Sequence, residues 1–471
     1  MPSVSVTDVP YTPESEHIFA AIQHLPDAVW LDSGKPASLY GRFDIISAAP
    51  EYVLENNANT STISRVDGGN QSSRGDLFEL VQQLLEERRL AQPAPAGLPF
   101  SGGLIGYFGY DAGRRRMALA DQLPEVVGLP DARLGYYTWA YIANHQASKA
   151  WLVYQPHCSE SQRRDIARLL ASVHGKQTPS QRESAIETAA PTDFQLASPF
   201  VGSDTEETYN CKFDTIQAYI RAGDCYQVNL ARHFSAEFTG APWSAYRQLR
   251  RTLPSPFSAF LQWQDKAILS LSPERFIKLS GARVETRPIK GTAARGATLE
   301  KDRENAVKLM NSAKDRAENL MIVDLLRNDL SKNCAPYSVK VPELFALESF
   351  ANVHHLVSTV TGTLAETSCG PRLLADCFPG GSITGAPKRR AMEIIEELES
   401  VRRSIYCGSI GYLSACGRID MNIAIRTMAM NRNTIHCWGG GGIVADSDRE
   451  HEYNECLTKI SLIMDALGCP A

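Results

Sequence analysis

The strongest chemical signal in the chain is a lysine set between an apolar run and a glycine, in Thr286-Arg-Pro-Ile-Lys-Gly-Thr-Ala-Ala-Arg-Gly296. The Lys290 amine would sit at a strand end, and Gly291 lets a ligand approach the backbone closely. A second segment, Phe378-Pro-Gly-Gly-Ser-Ile-Thr-Gly-Ala-Pro-Lys388, is a Gly- and Ser-rich loop running into a helix with Pro387 near its first turn. Such a loop aims free N–H groups outward, which suits a carboxylate or a phosphate. The Gly-Lys-Ser/Thr ending of a P-loop is missing, so nucleotide binding is not expected. A third segment runs from Gly439 to Glu455 and opens the last helix. On that helix Glu452, Glu455 and Lys459 share one stripe, and two carboxylates one turn apart can share a hard cation such as Mg²⁺.

Each segment also has an ordinary explanation. A lysine at a strand edge is commonly a solvated charge, a Gly-rich turn before a helix is commonly a capped loop, and a Glu–Lys stripe is commonly a solvated face. His451-Glu452 begins like a zinc-protease helix, but Glu455 stands where a second histidine is required. The Gly439–Gly442 run lacks the G-x-G-x-x-G order of a dinucleotide site. Ser272-Pro-Glu274 puts a carboxylate at a strand turn, and Glu318 has Lys314 one helical turn away as a plain partner. His354 and His355 point to opposite faces of an extended segment and would not chelate one ion together.

The pattern predicts the elements that hold these residues. Residues 1 to about 155 mix short strands with turns and end in alternating aromatic runs such as Trp151-Leu-Val-Tyr154. A helix is expected near Ser159–Val173, followed to about residue 200 by a polar Gln-, Ser-, Thr- and Pro-rich connector. This divides the chain into a region 1–195 and a region 203–467. In the second, Ser203-Asp-Thr-Glu206 reads as a capping box for a helix ending near Gly223, and Tyr226–Ala231 begins a strand. Ser258–Trp263, Ala267–Leu271, Arg275–Leu279 and Val284–Ile289 read as one antiparallel meander. One long helix is expected from Thr298 to about Leu330, another from Pro387 to Glu399, and a last one from about Asp448, with Ser447-x-x-Glu450 as its opening box. A second meander lies between the last two, across Ile405–Ala415, Ile419–Met430 and Thr434–Trp438. Runs of adjacent strands separated by helices point to an α+β fold of large antiparallel sheets with helices outside them.

Composition narrows the partners. Lys+Arg 48 against Asp+Glu 53 leaves a net charge of −5, which offers no basic stripe for nucleic acid. No run approaches the ~20 apolar residues of a membrane helix. The 11 cysteines form no Cys-x-x-Cys pair and read as thiols in a reducing compartment. With no signal-peptide pattern before Pro13, the expected location is the cytoplasm.

Taken together the segments resemble the chorismate-utilising enzymes, a family that includes anthranilate, aminodeoxychorismate, isochorismate and salicylate synthases. The resemblance rests on Tyr226-Gln-Val-Asn-Leu, Ser272-Pro-Glu-Arg-Phe, Pro288-Ile-Lys-Gly-Thr, Ala317-Glu-Asn-Leu-Met-Ile-Val-Asp, His355-Leu-Val-Ser, Gly380-Gly-Ser-Ile-Thr-Gly-Ala-Pro-Lys, Ala424-Ile-Arg-Thr and Gly440–Glu455, in that order. It extends more loosely to Ser33, Arg42-Phe43-Asp44 and Gly102–Asp111. It implies the family's chorismate-binding fold. Members that add water to the ring carry a lysine where this chain has Gln227, and the anthranilate branch has alanine where this chain has Lys290. Lysine at that position marks the aminodeoxychorismate branch.

By the same resemblance, Lys290 is the nucleophile and Glu274 the general acid, with Glu318, Glu452 and Glu455 as Mg²⁺ ligands. Arg426, Tyr412, Gly440 and Gly441 would hold the enolpyruvyl side of chorismate. Ser382, Thr384 and Gly385 would hold the ring carboxylate side, with Thr292, His355 and Lys459 as further substrate contacts. Ser33, Arg42 and Phe43 would belong to a tryptophan pocket. Ammonia would come from a separate glutamine amidotransferase subunit, because the chain has no Gly-x-Cys-x-Gly nucleophile turn. The product would feed p-aminobenzoate and folate synthesis. The rival expectations are the anthranilate-forming component I and a non-catalytic chorismate- or tryptophan-binding regulator.

Overall fold

The computed structural model describes residues 3–66, 68–90, 97–174, 193–350 and 353–468. Two large antiparallel sheets, of 13 and 12 strands, face each other, and eleven α-helices accompany them among the described residues. Residues 175–192 of the expected connector lie outside the described residues, while the helix before it spans Glu160–His174.

Side-chain alternation builds the two layers. In the first sheet, Val29, Ala259, Leu261 and Ile268 face the space between the sheets. Their neighbours Trp30, Phe260 and Leu269 face the other way. This is the period-2 alternation of a strand with both faces covered. The outward face is sealed by the helices Glu16–Ile22 and Pro242–Thr252, with the Phe19 and Trp243 rings 4.7 Å apart. Each such aromatic contributes on the order of 2 kcal/mol on burial. Both sheets take strands from both sides of the connector: Val29–Asp32 pairs with Phe257–Trp263, and Gly103–Phe108 pairs with Ser409–Ser414.

Five expectations are corrected. The strands around Pro273 do not form one meander. Lys266–Ser272 belongs to the first sheet and Arg275–Ser280 to the second, so the chain crosses between layers at Pro273-Glu274. It crosses back between Ile419–Asn422 and Thr427–Asn431, splitting the second meander in the same way. The long helix is two helices, Leu299–Met310 and Ala313–Ser331, because Ser312 turns extended and its hydroxyl accepts from the Asp315 N–H at 3.2 Å. Ser and Asn compete locally with helical hydrogen bonding, and Asn311-Ser312 places both at the break. The capping residues are also displaced. Thr205, not Ser203, caps the helix Glu206–Ala222, and Asp448, not Ser447, caps Arg449–Ala466.

Every described cysteine is a free thiol. No helix among the described residues is long and apolar enough to cross a membrane.

Candidate active site

The two crossovers lie side by side. The Ile423 N–H donates to the Glu274 carbonyl at 3.0 Å, and the Ser272 hydroxyl donates to the Ile423 carbonyl at 2.6 Å. Glu274 is thereby buried, 5% exposed, at the point where the sheets exchange strands. The loop Gly380–Ala386 closes over it, held to the strand Gln227–Thr239 by the pairs Gln227–Ala386 and Val228–Gly385. Ser382 in that loop faces both reactive groups. Its hydroxyl donates to Glu274 Oε1 at 2.8 Å, and its carbonyl accepts from Lys290 Nζ at 2.9 Å. One residue therefore sets the acid and the amine against each other.

Their electrostatics follow from this burial. Desolvation pushes the Glu274 carboxyl up to about 7, against the opposing pull of the Ser382 hydrogen bond and the Lys290 charge. Desolvation lowers the Lys290 amine, Glu274 and Glu318 resist, and the Lys459 cation adds to the lowering. An acid whose proton is held toward neutrality and an amine biased toward its neutral form are what a nucleophilic displacement needs.

Beyond Lys290 lies a carboxylate cluster shared by two helices. Glu318 comes from the helix Ala313–Ser331, which packs on the strands Ile289–Ala294 and Val353–Thr363. Glu452 and Glu455 come from Arg449–Ala466, which packs on Thr434–Ile443. Lys314 Nζ lies 3.9 Å from Glu318 Oε1 and 3.8 Å from Glu452 Oε1, a single positive charge between two carboxylates. Burial raises both carboxyls, with repulsion from Glu452 adding to the rise at Glu318 and repulsion from Glu455 adding to the rise at Glu452. Burial would raise Glu455 too, but Lys459, 2.6 Å away, holds it low. Lys459 also donates to the Gly440 carbonyl at 2.9 Å. A methyl group on Gly441 would stand 2.9 Å from Glu452 Oε2, so the glycine leaves space against the carboxylates. Glu318, Glu452 and Glu455 are hard oxygen donors of the kind Mg²⁺ takes.

On the other flank, Thr292 Oγ1 and His355 Nδ1 are 2.9 Å apart across paired strands. Burial and the charge of Arg426 press His355 down to about 4, which keeps it neutral at pH 7. Arg426 sits in the second crossover with a left-handed φ of 50°, and no carboxylate pairs with it among the described residues. Thr384 is fully buried, and its hydroxyl donates to the Gly380 carbonyl at 3.0 Å, so it shapes the loop. Gly385, at φ +143°, shapes it too, since a Cβ there would meet the Gln227 carbonyl at 2.1 Å. Both amide atoms of buried Gln227 lack a protein partner.

Tyr412 is not brought to this group. It stands edge-on to Phe100 and lines a separate cavity of about 270 Å³ with Arg42, Phe43, Phe257 and Lys278. Its strand belongs to the second sheet and turns the ring toward the N-terminal region. Of the residues expected to form a tryptophan pocket, Arg42 and Phe43 line this cavity, with the guanidinium 4.6 Å from the Phe43 ring centre. Ser33 does not line it; its hydroxyl is spent on Asp44 at 2.6 Å. A larger cavity of about 750 Å³, beside the helix Leu77–Glu87, shares no lining residue with the Lys290 group.

Residues 26–465 match the family described as chorismate binding enzyme. The chain belongs to the chorismate binding enzyme family. Within the family it is 46% identical to aminodeoxychorismate synthase component 1 of Salmonella typhimurium, over 99% of this chain and 98% of that protein. It is 36% identical to anthranilate synthase component 1 of Pseudomonas aeruginosa, over 94% of this chain and 90% of that protein. Among solved structures, anthranilate synthase component I from Streptococcus pneumoniae superposes with a TM-score of 0.78 at 31% identity, covering 90% of this chain and 93% of that one. Family membership and the superposition establish the chorismate-binding fold for this chain.

Two further residues of this group were not singled out by the sequence. Lys314 read as an ordinary helical partner of Glu318, although it also reaches Glu452 across the cleft. Ser447 read as a cap, but its hydroxyl donates to Glu452 Oε1 at 2.7 Å. Only the distance between the two helices reveals the first. The second was open to inference, because Ser447 precedes Glu452 by little more than one helical turn.

Proposed function

We infer that this chain is component 1 of an aminodeoxychorismate synthase, converting chorismate and ammonia to 4-amino-4-deoxychorismate, on the way to p-aminobenzoate and folate. The reading is carried by the Lys290 amine held against the Glu274 acid by Ser382. Neutral Lys290 attacks C2 of chorismate, the ring double bond shifts, and the C4 hydroxyl leaves as water with the proton of Glu274. Ammonia then attacks C4, the double bond shifts back, and the lysine amine departs from C2. The lost proton returns to Glu274, so chorismate and ammonia give the amino product and water. His355, neutral beside Thr292, offers a hydrogen bond on the ring side, and unpaired Arg426 suits the enolpyruvyl carboxylate.

Mg²⁺ held by Glu318, Glu452 and Glu455 would supply Lewis-acid polarisation to the ring carboxylate. The donor chemistry fits, as does the space at Gly441 and the cationic Lys314 already between two of the carboxylates. Glu452 is buried and tied to Ser447, so it has little room to retreat from an added methyl group. Gly441→Ala is therefore expected to raise the Mg²⁺ concentration for half-maximal activity by about tenfold or more. A Mg²⁺ titration unchanged from the parent would remove this cluster as the cation site.

The relatives' designation as component 1 supports a partner protein, proposed here to be a glutamine amidotransferase that supplies the ammonia in the cytoplasm. The cavity at Arg42 and Phe43, with Lys278 beside it, is the proposed seat of a tryptophan. Equilibrium dialysis that detects no tryptophan binding would refute that part alone.

The deciding experiment is product identification. Chorismate, Mg²⁺ and ammonium are expected to give 4-amino-4-deoxychorismate by chromatography and mass, with pyruvate retained. Release of pyruvate with a fluorescent anthranilate product would overturn the reading in favour of the anthranilate branch.

A further inference from the structure

We infer that Arg403 is a positioning residue for the reacting pair, fixing the loop that carries Ser382 through the Ile383 carbonyl. This rests on the reading of Lys290 and Glu274 as that pair. Arg403 is 1% exposed and touches neither of them. Its Nε and Nη2 donate to the two oxygens of Glu399 at 3.0 and 2.7 Å, a two-pronged ion pair with both partners buried. The remaining reach of the fork goes to two carbonyls. Nη1 donates to Ile383 at 3.0 Å, and Nη2 donates to Asn229 at 2.7 Å. Glu399 in turn accepts from the Ala231 N–H at 2.9 Å. The pair thus pins the Gly380–Ala386 loop to the strand Gln227–Thr239 one residue beyond Ser382.

A lysine could still neutralise Glu399. It could not donate in one plane to a carboxylate and two carbonyls, because an ammonium lacks the rigid fork. A purely structural pair would need only the charge, whereas a positioning residue needs the geometry. The Ile383 carbonyl is adjacent to the Ser382 carbonyl that receives the Lys290 amine, so slack there misaligns amine and acid after substrate has bound. The cost should fall on kcat rather than on KM.

In Arg403→Lys, kcat is expected to fall about 10²-fold, with the KM for chorismate within about twofold and thermal stability close to the parent. If Arg403 acts through Ser382, the two changes must be coupled. Ser382→Ala removes the hydroxyl on Glu274 but keeps the carbonyl that receives Lys290, so in that background the same substitution should cost clearly less than alone, short of the product of the single effects. Should Arg403→Lys fail to fold, the paired change Arg403→Gln with Glu399→Gln removes both buried charges together and is expected to show the same kcat loss and the same coupling. Parent-like kcat, or effects that simply multiply across the Ser382→Ala background, would overturn the inference. Intact mass of the parent enzyme with chorismate tests the underlying reading separately. A missing lysine adduct there sinks that reading, whereas multiplying effects with the adduct present sink only the role of Arg403.

Discussion

Lys290→Ala is expected to abolish the covalent chorismate adduct and to lower kcat with ammonium by at least about 10²-fold. The amine is well suited to this step. It donates one N–H to the Ser382 carbonyl, which leaves the lone pair of the neutral form free for the ring. A free lysine would be neutral only about one time in a thousand at pH 7. Burial, helped by Lys459, shifts that balance toward the neutral amine. Residual turnover in the variant would come from direct attack by ammonia, since the carboxylate cluster and Arg426 remain. Intact-mass analysis after rapid quench decides the matter: an adduct of the same added mass in Lys290→Ala would exclude this residue as nucleophile.

Glu274→Gln should be nearly as damaging, with a loss of about 10²- to 10⁴-fold in kcat, because the leaving hydroxyl no longer receives a proton. The parent pH profile carries the same signature. Glu274 must be protonated to act, and burial places it at about 7. Activity should therefore hold below that pH and decline about tenfold per unit above it. Protonation of Lys290 would remove the nucleophile, so Glu274 and Lys290 titrate as a coupled pair. Stability should also fall as pH rises, but over a lower range. A carboxyl raised in the folded state binds its proton more tightly there, so folding weakens as pH climbs from the ordinary carboxylate range to about 7, and this contribution is constant above that. Glu274→Gln is accordingly expected to melt no lower than the parent at pH 8, while its alkaline limb disappears. A variant that kept the limb would assign the titration to another group.

The elements were largely legible, because their signals are local. Alternating apolar residues marked the strands, and Pro387 marked the helix Lys388–Leu398. The errors came where local patterns are ambiguous. Asn311 and Ser312 sit inside an otherwise helical periodicity, and only the extended Ser312 backbone reveals the break. Pro273 reads equally well as a hairpin turn or as a passage between layers, since both need the same residues. The choice depends on which strands receive Lys266–Ser272 and Arg275–Ser280, far away in the chain.

The site divides in the same manner. Residue type by itself selected the actors: a lysine beside glycine, a carboxylate after proline, two glutamates and a lysine on one helical stripe, and motifs in the family's order. Chemistry resides in side chains and short spacings, so that much needs no fold. Tertiary structure decided which actors meet. It set Ser382 between Lys290 and Glu274, put Lys314 between carboxylates of two helices, and turned Tyr412 away toward Arg42 and Phe43. Those outcomes depend on distances between residues tens to hundreds of positions apart. Packing fixes such distances through many weak contacts at once, and no local pattern in the chain encodes them.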